Sequence, residues 1–240
     1  MFTDYFAKKS EELVESVKKS QQERGVQAPG KEKDLSIYRD FFSFLRDHIP
    51  AYFSLATGKV RNKKHLLNRN CDVLIYHKII PAVVEMTGGY VLSDYLFAFM
   101  SLEHDLTRGG LITHANMTNA LKSLYGGGAA PGGENRIIPM FSILFAFKST
   151  ASLVDHRDDI SRISQEKGIT LNHELDLICV LGQGLIIKDW ENGGGYKVIE
   201  TGEDTLLWFY ALLLEYLDRD GNVGLDPREY IKNSTVYKEY

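Results

Sequence analysis

Cys71-Asp72-Val73-Leu74-Ile75-Tyr76 is a β-branched, apolar run broken by one carboxylate. A second run, Leu96 to Glu103, is apolar until it reaches Ser101 and Glu103. Each has the length of a buried strand, and side chains two apart on a strand share a face. Two such strands lying side by side bring carboxylates together at one end of a sheet. Paired carboxylates there suit a hard cation such as Mg²⁺.

Further runs fill out the sheet. Met140 to Phe147 reads as a buried strand. Leu175 to Leu181 and Leu185 to Lys188 read as two strands joined by a tight turn at Gly182-Gln183-Gly184. Tyr52 to Ala56 alternates and enters a turn at Thr57-Gly58. Helical spacing recurs over 3–22, 34–48, 113–125, 151–167 and 205–217, with Thr113 or His114 as the cap of the third. Buried strands interleaved with helices predict an α/β fold with a central mixed β-sheet flanked by helices. An N-terminal helix and a C-terminal helix are added to it. The expected division is a helical extension over 1–29, an α/β domain over 30–217 and a polar tail over 218–240.

Composition narrows the setting. The 240 residues are 44% hydrophobic and 25% charged, as in soluble globular proteins. The longest uninterrupted apolar stretch, Leu206 to Leu214, is too short to cross a bilayer. Cys71 and Cys179 each sit inside an apolar run, as small buried hydrophobes rather than a disulfide. A cytoplasmic protein with no membrane association follows as the expectation. Net charge is uneven. Residues 1–78 carry 15 Lys/Arg against 10 Asp/Glu, whereas 79–240 carry 13 against 22. Lys59, Arg61, Lys63, Lys64 and Arg69 form the densest basic cluster, a candidate contact for nucleic-acid phosphate or a solvated loop.

Several patterns are weak. Gly126 to Gly133 lacks the Gly-Lys-Ser/Thr ending of a phosphate loop. Asp218 to Glu229 matches much of a calcium-binding loop, but Val223 stands where the turn needs Gly, so Ca²⁺ is a minor alternative. The histidines show no zinc spacing, and His104 beside Glu103 is a minor candidate proton carrier. Trp190 and Trp208 read as core or interface residues.

The run from Gly30 to Thr150 resembles a bacterial family of the PD-(D/E)XK, restriction-endonuclease-like nuclease superfamily. The likeness rests on Gly30 and Glu32, Phe44 to Pro50, Thr57-Gly58-Lys59-Val60 and Asp72-Val73-Leu74-Ile75-Tyr76-His77-Lys78. It implies a restriction-endonuclease-like core, Mg²⁺ or Mn²⁺ on Asp72 and a Glu of the next strand, and a Lys two residues further on. It also implies nucleic acid as partner and a place in bacterial defence. This chain departs at the decisive strand, where Ser101 falls at the Glu position and Glu103 at the Lys position. The first expectation is therefore a catalytically impaired member that binds nucleic acid or a protein partner. The alternative is an active nuclease with a migrated site. There Asp72, Glu103 and Glu32 would hold the metal, and Lys122 or Lys59 would replace the missing lysine.

Overall fold

The computed structural model describes residues 2–24, 33–78, 88–124, 140–190, 193–218, 229 and 237–240. Glu32, the Gly126–Gly133 segment and most of the calcium-loop-like stretch lie outside them. Three strands make the centre: β5 (Leu96–Glu103), β6 (Phe141–Ala146) and β7 (Leu177–Val180) pair in parallel. They are apolar along almost their whole length because helices cover both faces. The two crossovers carry α3 (Arg108–Leu124) and α4 (Leu153–Glu166). Both crossovers step the same way along the sheet. Their common right-handedness therefore puts both helices on one face. The other face is left for α2 (Arg39–His48), α5 (Thr205–Leu217) and α1 (Phe2–Arg24).

Antiparallel strands extend the sheet on either side. β3 (Cys71–His77) pairs with β5, and β1 (Phe53–Gly58) pairs with β3 at the edge. Beyond β7 come β8 (Gly184–Asp189), β9 (Gly195–Glu200) and the short β10 (Lys238–Glu239). Two short strands, β2 (Val60–Arg61) and β4 (Val91–Leu92), pair in parallel apart from the main sheet. The result is an eight-stranded mixed sheet between two helical layers. Gly184 opens β8 with φ of +152°, and a Cβ there would collide with the Ile199 carbonyl, so the hairpin turn requires glycine.

Some expectations change. The third helix begins five residues before 113, because Thr107 Oγ1 accepts from the Gly110 N–H and carries the helix through Gly109-Gly110. Thr113 and His114 are therefore interior, and Thr113 Oγ1 donates back to the Gly109 carbonyl. Tyr196 to Glu200, unassigned from sequence, completes a hairpin with β8. The first helix packs on the domain, with Phe6, Leu13 and Val17 all buried in the main core. Both cysteines are buried and free. No helix among the described residues is long and apolar enough to cross a membrane.

The main core is aromatic. Phe41 of α2 is fully buried, 4.3 Å from Phe145 and 5.6 Å from Phe147 between ring centroids. Truncating such a side chain leaves a cavity that its rigid neighbours fill poorly. Phe41→Ala should lower the unfolding free energy by about 3–5 kcal/mol in urea titration. A loss under about 1 kcal/mol would mean that α2 does not pack as described.

Candidate active site

The end of the sheet where β3 starts and β5 finishes gathers the chemistry. Antiparallel pairing, with Val73 opposite Met100, puts Asp72 beside the last residues of β5. Asp72 Oδ2 accepts the Leu102 N–H at 2.8 Å and the Lys33 ammonium at 2.8 Å. Lys33 also donates to the Leu102 carbonyl and lies 3.7 Å from Glu103 Oε1. Both carboxylates thus face one ammonium. Lys33 reaches them from just before α2, and its Nζ sits 5.7 Å above the Tyr38 ring centroid. That ring is stacked on Phe147 at 5.3 Å.

Glu103 has a second partner. The Nε2–H of His114 donates to Glu103 Oε1 at 2.6 Å. The connection from β5 to α3 is only Glu103 to Arg108, which forces the helix to fold back over the strand end. The Phe147 N–H on the Glu103 carbonyl and the Leu106 N–H on the Lys148 carbonyl pin that turn. His114, two turns into α3, is thereby delivered to the carboxylate.

The local field follows from these contacts. Burial pushes the Glu103 carboxyl up, but the His114 hydrogen bond and the Lys33 charge outweigh it and hold it below the usual 4.5. Tyr38 is held far above its ordinary value by burial and then by the charges of Glu103 and Asp72. The Cys71 thiol is pushed up to about 12 by burial and by Asp72. His104 is lowered by burial, then by Lys148. A buried His104 Nδ1 has no hydrogen-bond partner among the described residues.

The other candidates are scattered. Ser101 is buried two residues before Glu103, its backbone beside Leu144 of β6. Lys122, expected as a substitute amine, is elsewhere. It lies eight residues past His114, about 12 Å along α3. There its Nζ meets Asp176 Oδ2 at 2.7 Å and the Glu174 carbonyl at 2.7 Å. Ser142 adds its N–H and its hydroxyl to the same Asp176 oxygen. Lys59 is occupied with Asn68 Oδ1 at 3.4 Å. Lys59 and Arg69 stand at the roots of the basic loop, beside Gly58 and three residues from Asp72. Arg61, Lys63 and Lys64 lie further out. Arg61 stacks 5.9 Å from the Tyr90 ring, and Asn62 anchors the loop to the Leu124 carbonyl at 2.9 Å. Sequence reasoning missed Lys33, His114 and Tyr38. His114 had a signal, since His114, Thr118 and Lys122 recur at four-residue spacing, as they must on one helical face.

No protein-family model matches the sequence, and no curated protein matches it. Solved structures do. NucC of P. aeruginosa ATCC27853 in its cAAA-bound form superposes with a TM-score of 0.67 at 12% identity, over 90% of this chain and 91% of that one. The cAAA-bound NucC of E. coli MS115-1 gives 0.68 at 12% identity over 90% of each chain. The fold is that of NucC. Apo NucC from the same E. coli strain gives 0.58 at 14% identity, covering 85% of this chain and 90% of that one. At these identities the likeness to NucC is one of fold, and it bears out the restriction-endonuclease-like core expected from the resemblance.

The lowered Glu103 value has a signed consequence for stability. A carboxyl whose folded value lies below its unfolded one stabilises above the unfolded value and loses that contribution as pH falls through the folded one. Glu103→Gln should cost on the order of 1 kcal/mol at pH 7, allowing for the carboxylate's partial exposure. The difference from wild type should fade below about pH 4.5. Urea titrations at pH 7 and pH 3 check this, and a difference that persists undiminished in acid would contradict it.

Proposed function

We propose that this chain is a divalent-metal-dependent nuclease acting on DNA or RNA in bacterial antiphage defence. The observation that carries the reading is the convergence of Asp72 and Glu103, from adjacent strands, on one cation position. The NucC fold supports the nuclease superfamily and the defence setting.

The donor set fits Mg²⁺ or Mn²⁺. Among the described residues no three His, Cys, Asp or Glu side chains gather as a metal cage. The available donors are two carboxylates and the Leu102 carbonyl, all oxygen. Mg²⁺ is commonly held by one or two carboxylates with water and substrate phosphate completing its shell. When bound, such an ion stabilises charge on the phosphate and favours hydroxide from a bound water. The protein's own residues orient the donors. The Leu102 N–H fixes Asp72, and His114 fixes Glu103. Lys59 and Arg69 offer charge to a nucleic-acid backbone.

A second reading is a catalytically impaired member that binds nucleic acid or a protein partner. Ser101 favours it, being a hydroxyl where the resemblance implies a carboxylate, and so does Lys33, which already neutralises the pair.

The test is a cleavage assay on DNA and RNA with Mg²⁺ or Mn²⁺, with and without the cAAA found in the NucC complexes. Cleavage should require the metal and fall about a hundred-fold or more in Asp72→Ala and Glu103→Ala. Unchanged cleavage in both variants would sink the site assignment. Binding without cleavage under every condition would select the second reading.

A further inference from the structure

We infer that Lys33 is a tethered cation occupying the metal position, so that its ammonium and a divalent ion compete for the same oxygens. The inference rests on the metal-dependent reading above and adds what controls entry to the site.

An ammonium has three N–H donors and no acceptor. Around Lys33 Nζ stand three oxygens: Asp72 Oδ2 at 2.8 Å, Glu103 Oε1 at 3.7 Å and the Leu102 carbonyl. These same atoms are the donors a hard divalent ion would take, since such ions select carboxylate and carbonyl oxygen. The ammonium and the ion therefore cannot share the position. Their charges also have the same sign, so a metal entering beside an undisplaced Lys33 would be repelled.

The side chain is built to leave. Its four-carbon stem is flexible, and the Lys33 side chain is 31% exposed against 13% for Asp72. The lysine side chain is thus partly open to solvent while Asp72 is more enclosed. The Tyr38 ring beneath the ammonium favours the inward position when no metal is present. Asp72 keeps its Leu102 N–H in either state, so the carboxylate need not move. Linkage then makes the effect reciprocal: whatever holds Lys33 inward weakens metal binding by the same factor.

The test is calorimetric titration of the full chain with MnCl₂, beside Lys33→Met, Lys33→Arg and the double variant Lys33→Met, Asp72→Asn. Lys33→Met should bind Mn²⁺ about ten-fold or more tightly than wild type. Lys33→Arg, which keeps the charge, should stay near wild type, and the double variant should lose the site. Melting temperatures check that each variant folds. If Met is not tolerated, Lys33→Gln makes the same comparison while retaining an N–H for the Leu102 carbonyl. Equal or weaker Mn²⁺ binding without the Lys33 charge would overturn the competition and leave the metal site standing. No Mn²⁺ binding in wild type or in either neutral variant would overturn the metal-dependent reading along with it.

Discussion

Two carboxylates held at the end of a buried sheet need positive charge between them. Asp72 and Glu103 are each less than a third exposed, and water screens them poorly. Lys33 supplies that charge from a segment far away in sequence. Its place depends in turn on Tyr38, on the Phe147 ring beneath Tyr38, and so on the aromatic core that fixes α2. The arrangement ties the packing of one helical layer to the electrostatics of the sheet end. Burial, and after it the charges of the same two carboxylates, raises the Tyr38 hydroxyl.

The other helical layer contributes through α3. That helix is anchored by polar contacts near both ends, with His114 on Glu103 and Lys122 on Asp176. Lys122 and Asp176 are both almost fully buried, where an unpaired charge would be costly. Burial lowers the Lys122 amine and the adjacent Asp176 charge raises it, with burial prevailing. Lys122 thus ties the helix on which His114 rides to the segment before β7. From the same helix, Leu111, Ala115 and Leu121 fill the space against the sheet.

The central strands were legible because parallel strands covered on both faces must be apolar along most of their length, and Leu96–Met100 and Leu177–Val180 are. β9 was not, because Tyr196 to Glu200 is an outer hairpin strand with a polar alternation that local context does not distinguish from a loop. The early start of α3 was hidden by Gly109-Gly110, poor helix formers carried by the Thr107 cap. Asp72 and Glu103 were legible as a pair, since strand periodicity alone puts Ser101 and Glu103 on one face. Their cation was not. Lys33 lies 39 residues from Asp72 and 70 from Glu103, and no spacing rule joins them. Helical periodicity placed His114 and Lys122 on one face but could not say which end lies over the carboxylates. Lys122 was expected as the replacement amine, but it is His114 that reaches Glu103, while Lys122 pairs with Asp176.

The central claim is that Asp72 and Glu103 share one cation position, held by Lys33 until a metal takes it. Anomalous diffraction from crystals of the protein grown with Mn²⁺ addresses it most directly. The account predicts a manganese peak between Asp72 Oδ2 and Glu103 Oε1, with the Lys33 amine withdrawn from both. Manganese bound elsewhere, with Lys33 still seated on the two carboxylates, would contradict it.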